Sequence, residues 1–320
     1  MTGDQHYIDR LVKELEKKFT VRDLGEAQNF LGMEIKRNRS RKTIKISQSK
    51  YIRNIAEKFG VLESNPVKTP MDSGYKCSAI DTKSVGNQAK DRPDYEEFVT
   101  RYRSIIGSCM YAQMLTRPDI SYSVSVLSKH LNSPTDSHMK QARRMLAYLY
   151  HSCDKGIVYG ESLGELSILG WSDSDYAGDV DNRKSQTGWV FKMNGGAISW
   201  RSYQQNCVAL STPEAEYMAV SDAAKEGRSL LKIAREIIDK NISCISIYED
   251  NRAAELWTRQ NSHASKTKQI DICFHHVRDE VKKNRIKILP VPSNENLADA
   301  LTKPLSLAKF DLLNNKIFAY

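Results

Sequence analysis

Residues 171–183 read WSDSDYAGDVDNR, with Asp173, Asp175, Asp179 and Asp181 inside nine positions at the end of the apolar run LSILG. The chain carries a net charge of +9, so this acid is a local concentration against the overall balance. Clustered carboxylates repel one another; either a cation shares the place or the side chains spread through a solvated loop. Calcium is the first chemistry to test. DSDYAG begins like a calcium loop, but Ala177 stands at a ligand position and Lys184 where the closing bidentate glutamate belongs, so that reading fails.

Three more carboxylates occupy comparable places. Asp173 ends a predicted strand, Glu216 lies in the first turn of a predicted helix, Asp250 ends the strand CISIYED, and Asp299 sits early in the helix NENLADALTK. Strand ends and helix N-termini on one edge of a sheet converge, and α/β folds build sites there. Four acids so gathered need counter-charge. Two Mg²⁺ ions roughly 3.5–4 Å apart would hold them, activate a water and stabilise both oxygens of an in-line phosphoryl displacement. Each acid also has a plain structural use: a turn at Asp173, the helix dipole at Glu216, a cap near Asp250, a solvated surface at Asp299. Residue types alone leave both uses open.

The elements that must position these residues follow from periodicity. Ile8, Leu11, Val12, Leu15 and Phe19 recur at helical spacing over 7–20, and NFLGMEIKR and KTIKISQ alternate as a hairpin around RNRSRK. SKYIRNIAEKFG reads as a short helix capped by Ser49 and stopped by Gly60. Residues 61–95, with NPVKTPMDSG, read as a long exposed connection, and YRSIIGSCMYAQML, ISYSVSVLSKHLN and HMKQARRMLAYLYHS as helices. Near residue 155 the period changes. GIVYG and LSILGWSD read as strands, TGWVFKM and AISWRS as a hairpin around NGG, and NCVALS as a third strand. A long helix over 213–239 starts at Thr212 and Pro213; after it come CISIYED, the helices NRAAELWTRQ and IDICFHHVRDEVKKN, the strand IKILPVP and a last helix. The expected class is α/β: a mixed sheet with helices, preceded by a mainly helical half with a β-hairpin.

Composition bounds the rest. A chain of 320 residues with 40% hydrophobic and 27% charged residues is ordinary globular protein, long enough for two domains. No stretch reaches the ~20 apolar residues of a membrane span, and the N-terminus has no apolar signal core, so an intracellular, non-secreted protein without a membrane partner is expected. Six scattered cysteines with no CxxC pair read as reduced thiols. From Ile35 to Lys58 nine basic residues face one acid, Glu57. Lys36, Arg37, Arg39, Arg41, Lys42 and Lys45 of that run, with Arg183 and Lys184, are the candidate nucleic-acid contacts, a solvated basic face being the alternative. Trp171, Trp189 and Trp200 lie in predicted strands, where packing is favoured over stacking on bases.

WSDSDYAGDVDNRKSQTGWVF, VALSTPEAEYMAVSDAAKE, IYEDNRAA and ENLADALTKPL, in this order, closely resemble the ribonuclease H region of copia-type retrotransposon Pol polyproteins. FTVRDLGEAQNFLGMEIKR, ISQSKYIRNIAEKFG and YRSIIGSCMYAQMLTRPDISYSVSVLSKH resemble the C-terminal part of the same family's reverse transcriptase, so the likeness covers nearly the whole chain. It implies a reverse-transcriptase remnant over 1–150 (palm end, thumb and connection), a ribonuclease H-like domain over 160–306 and a tail over 307–320. It also implies Mg²⁺-dependent cleavage of the RNA strand of an RNA–DNA hybrid, with Mn²⁺ as a substitute ion. Asp173, Glu216, Asp250 and Asp299 match the family's four metal-binding acids. Asp173 and Asp250 would ligate or bridge the ions, Glu216 would ligate the first, and Asp299 would help hold the second. Asp173 is preferred to Asp175 because it directly follows the apolar run; Asp175 is expected on the other face of a continuing strand. The family's Tyr-x-Asp-Asp motif is absent from the N-terminal half, so polymerase activity is not expected, and the missing polymerase portion would lie in a longer polyprotein or another chain. Gln269 and Cys273 replace a histidine and an arginine of the family pattern, with His275 and His276 nearby. A non-catalytic nucleic-acid-binding remnant is the alternative function.

Overall fold

The computed structural model describes residues 5–22, 25–78, 93–160, 167–238, 242–258 and 268–318, with the backbone alone over 268–274. Gln269 and Cys273 therefore lie outside the described side chains, and part of the 61–95 connection lies outside the described residues.

The first half begins with α1 (Gln5–Glu16) and the strands β1 (Asn29–Phe30), β2 (Met33–Asn38) and β3 (Thr43–Ser47). The basic hairpin is as expected, with Lys36 directly opposite Lys45 and Arg37 opposite Ile44. Its sheet is completed by β4 (Gly156–Tyr159), antiparallel to β3, in the order β1-β2-β3-β4. Between β3 and β4 the chain forms four helices: α2 (Ser49–Lys58), α3 (Tyr95–Leu115), α4 (Ser121–Ser128) and α5 (Asp136–His151). Gln48, not Ser49, precedes α2, and α5 starts in a reciprocal cap between Thr135 and His138. Ile52, Ile105, Ile106, Leu127, Met145 and Leu146 are wholly buried between these helices. Part of the 61–95 connection is not exposed: Val61 and Met71 enter this core.

The second half is built on β5 (Ile168–Asp175), β6 (Gln186–Met193), β7 (Gly196–Gln204), β8 (Ile245–Glu249) and β9 (Ile286–Pro290), ordered β7-β6-β5-β8-β9. The β5–β6 and β6–β7 pairs are antiparallel, whereas β5–β8 and β8–β9 are parallel. Asn194 and Gly195 take positive φ (51° and 92°) in the tight β6–β7 turn, as an Asn-Gly hairpin requires. On one face lie α6 (Thr212–Ile237) and α8 (Lys268–Lys282), over a core of Phe191, Tyr217, Val220, Ile245, Ile247 and Val277; α7 is Arg252–Trp257. The sheet is thus the expected mixed α/β arrangement.

Two expectations are corrected. Residues 206–211 (NCVALS) form no strand: β7 is the sheet edge, and the chain must turn to the cap of α6 at Ser211, which leaves Val208 and Leu210 exposed. In place of a tail, α9 (Leu307–Phe318) buries Phe310, Leu313, Ile317 and Phe318 in the first core. Val190, Ala197, Leu297 and Leu301 join that same core, so one apolar cluster runs from the N-terminal helices onto the second sheet. No described helix is long and apolar enough to cross a membrane.

Candidate active site

The apolar face of β5 depends on Gly170, because a Cβ there would lie 2.4 Å from the Phe191 ring. The strand therefore packs tightly on β6 and delivers Asp173 to its polar end, opposite Gly188. Gly188 has a matching role. A Cβ on it would meet Thr302 at 2.8 Å, so its bareness lets the 301–303 segment close over Asp173. Thr302 Oγ1 donates to Asp173 Oδ2 there.

Glu216 reaches the same place from the first turns of α6, its Oε2 accepting the Ser174 amide at 2.8 Å. Asp250 follows β8, whose parallel pairing with β5 brings the two strand ends side by side. Asp250 is not the cap of α7: Asn251 is, accepting the Ala254 amide at 3.1 Å. Carboxylate oxygens of Asp173, Glu216 and Asp250 all lie within 4.8 Å of one another. Asp299 stands outside that trio, on a 3-10 helix (Leu297–Leu301) anchored by Asn296, whose side-chain amide donates to the Ser172 carbonyl at 2.8 Å. Lys303 joins it to the others, with Nζ 2.6 Å from Asp299 Oδ1 and 3.7 Å from Asp173 Oδ2. Lys309 contacts the other Asp299 oxygen.

Burial pushes Asp173 up to about 7; Lys303 opposes the shift and Asp299 and Asp250 add to it. Glu216 is held well above the ordinary carboxylate range by burial, then by repulsion from Glu249, Asp173 and Asp250. Glu249 is raised too, chiefly by burial, although it accepts from Ser172 Oγ (2.8 Å) and the Asn251 amide (3.1 Å). Such a set of buried, mutually repelling oxygens fits a hard divalent cation such as Mg²⁺, whose charge would relieve the repulsion.

The other aspartates of the opening stretch serve the loop. Asp175 is two residues along β5 and so shares Asp173's face by strand alternation, contrary to the expectation that it would point away. It stays out of the trio because its Oδ1 accepts the Gln186 amide and its other oxygen occupies the space a side chain at Gly178 would fill. Burial raises it to about 7. Asp179 accepts the amides of Asp181 and Asn182 and pairs with Lys129 at 2.9 Å, and Asp181 accepts from Ser78 Oγ.

The predicted cations are divided. Lys36, Arg37, Arg41 and Lys42 are exposed on the hairpin; Arg39 pairs with Glu26, and Lys45 donates to the Asp154 carbonyl at 2.7 Å. Exposed Arg183 and half-buried Lys184 lie in the β5–β6 connection. Lys184, Lys129 and Lys303 line one cleft with Asp175, and no hairpin cation reaches it. The tryptophans pack: Trp189 is buried, Trp171 stacks on Tyr248 at 5.3 Å, and Trp200 donates to the Gln113 carbonyl at 2.9 Å.

Sequence pattern alone does not mark Asn296, Thr302, Lys303 and Glu249. Their only signal was adjacency to Asp299 and Asp250 in ENLADALTKPL and IYEDNRAA. A second gathering of potential ligands, Cys77, His130 and His138, is less suited to a metal. His138 Nδ1 accepts the Thr135 amide at 3.1 Å, which leaves the ring proton on Nε2 rather than a lone pair. Burial holds this ring's pKa down at about 4.

Residues 1–73 match the family model described as "Reverse transcriptase (RNA-dependent DNA polymerase)". The chain is 37% identical, over 97% of its length, to a retrovirus-related Pol polyprotein from transposon TNT 1-94 of Nicotiana tabacum. It is 32% identical, over 71% of its length, to an uncharacterized mitochondrial protein of Arabidopsis thaliana, covering 88% of that protein. It spans less than a quarter of the length of the Pol polyproteins, 23% for the tobacco protein. Among solved structures, RNase H1 from Halobacterium salinarum aligns over 42% of this chain and 94% of its own, with 17% identity and a TM-score of 0.32.

Proposed function

The chain belongs to the copia-type, retrovirus-related Pol polyproteins of transposons, and from that premise we propose that its second half is a metal-dependent ribonuclease H acting on the RNA strand of an RNA–DNA hybrid. The observation that carries this reading is the convergence of Asp173, Glu216 and Asp250 from three separate elements to within 4.8 Å, with Asp299 beside them. Asp173, Glu216 and Asp250 would hold the first divalent ion, and Asp173 with Asp299 the second. Bound there, the ions supply an activated water and charge stabilisation for the phosphoryl displacement.

The chain's own groups do the positioning. The Ser174 amide fixes the Glu216 carboxylate, and Thr302 fixes that of Asp173, so both oxygen sets are pre-oriented. Asn296 ties the Asp299 helix to β5, and Lys303 and Lys309 hold its carboxylate. Lys36, Arg37, Arg41, Lys42, Arg183 and Lys184 would bind backbone phosphates, which position a hybrid without reading its sequence. The 2′-hydroxyl is the group that marks the RNA strand for recognition. The polymerase portion would come from a longer polyprotein or from another chain.

The test is cleavage of an end-labelled RNA–DNA hybrid with Mg²⁺, beside Glu216→Gln. The expected result is cutting confined to the RNA strand and lost in the variant. Equal inertness of two folded proteins would replace catalysis with the binding-only reading.

A further inference from the structure

The four carboxylates are not equivalent in their supply of positive charge. Asp173, Glu216 and Asp250 form an open trio, whereas the Asp173–Asp299 side already holds an ammonium. Asp299 is 1% exposed and Asp173 2%, so neither can rely on water for its charge. Lys303 Nζ sits 2.6 Å from one and 3.7 Å from the other. Four positions beyond Asp299, it follows the last turn of the 3-10 helix, and its side chain remains 42% exposed toward the cleft lined by Lys129, Lys184 and Asp175. It therefore has somewhere to go.

We infer that Lys303 is the resident counter-cation of Asp173 and Asp299, and that a second divalent ion enters only by displacing it into the cleft. This rests on the metal-centre reading above and deepens it. The physical reason is exclusion. An ammonium paired with Asp299 and close to Asp173 occupies the space that an ion bridging them would need, and adds a repulsive charge at close range. The first ion meets less competition, because Lys303 contacts Asp173 only at 3.7 Å and no ion pair to Glu216 or Asp250 occurs among the described residues. Lys309 stays on the far oxygen of Asp299 and on the Ser293 carbonyl at 3.1 Å, so Asp299 remains anchored when Lys303 leaves. Once displaced, Lys303 lies in a cleft lined also by Lys76, Lys184, Asp175 and the Lys129–Asp179 pair, where a phosphate of the bound hybrid would pair with it, so substrate and second ion would favour the same movement. Lys303 is in this sense a positioning residue that couples occupancy of the second ion to the presence of substrate.

The experiment is calorimetric titration of the full chain with Mn²⁺ at fixed ionic strength, comparing wild type with Lys303→Met, Lys303→Arg and Glu216→Gln. Lys303→Met is expected to bind the second ion roughly tenfold or more tightly than wild type, with a smaller gain for the first. Lys303→Arg, which retains the cation, is expected to follow wild type. In EDTA at pH 8, Lys303→Met should melt below wild type, because two buried carboxylates lose a partner. Equal or weaker second-ion binding in Lys303→Met, or an Arg variant that behaves like Met, overturns the inference. A wild type that binds no Mn²⁺, or binds it identically to Glu216→Gln, is a different result and removes the metal-centre reading itself.

Discussion

Replacing Asp173 with asparagine should make the metal-free protein more stable while abolishing its ion binding. The ordinary aspartate value of 3.8 is raised to about 7 at Asp173, first by burial, with Lys303 opposing and Asp299 and Asp250 adding to it. Such a rise corresponds to ~4 kcal/mol at about 1.36 kcal/mol per pH unit. The sign follows from proton binding. Between the two values the folded state holds a proton that the unfolded chain has released, so stability declines as pH rises from about 4 through about 7. Above pH 7 the buried carboxylate is charged and the whole cost is present. Asparagine is nearly isosteric and still accepts from Thr302, so it removes the charge with little change of packing. Urea unfolding in EDTA, followed by circular dichroism, should therefore show Asp173→Asn more stable than wild type by up to ~4 kcal/mol at pH 8. The gain should shrink toward pH 4, and Mg²⁺ should stabilise wild type but not the variant. A variant less stable than wild type at pH 8 in EDTA would refute the reasoning, since it would mean that the folded protein favours the charge at that place.

Arg117→Met should be among the most damaging single changes. Arg117 and Asp119 are both wholly buried and doubly hydrogen-bonded, at 2.9 and 2.7 Å, with Tyr148 donating to Asp119 at 2.6 Å. Removing the cation strands a buried carboxylate, and urea unfolding should register a loss of ~3–5 kcal/mol; adding Asp119→Leu should recover much of it. Exchanging Lys36, Arg37, Arg41 and Lys42 for glutamine should weaken hybrid binding and reduce its salt dependence by about one unit for each phosphate no longer neutralised. Filter binding across a salt series measures this, and an unchanged slope would exclude the hairpin from the interface.

Much of the architecture was legible because it is written in local pattern. Helical spacing marked the helices of the first half, and alternation with an Asn-Gly turn marked the β6–β7 hairpin. The errors arose where local pattern and packing part company. NCVALS alternates like a strand, yet lies beyond the sheet edge on the way to α6, and residues 307–318 looked like a tail although their apolar side chains close the first core. Asp175 lies two residues from Asp173 and shares its face by the strand's two-residue period; what keeps it out of the trio is its bond to the Gln186 amide.

The chain by itself determined the chemistry on offer: four acids at element ends, a basic hairpin, and the order of strands and helices that carries them. Which acids meet, and what meets them, only the tertiary structure decided. Thr302 bonds Asp173 across 129 positions and Asn296 bonds Ser172 across 124, and no periodicity within a segment encodes such pairs. They exist because the sheet sets β5 beside β8, a glycine at 188 admits the 301–303 segment, and a shared apolar core holds the 3-10 helix in place. Burial then changes what the carboxylates are: side chains of ordinary acidity in the unfolded chain become, through desolvation and mutual repulsion, a set that takes up positive charge.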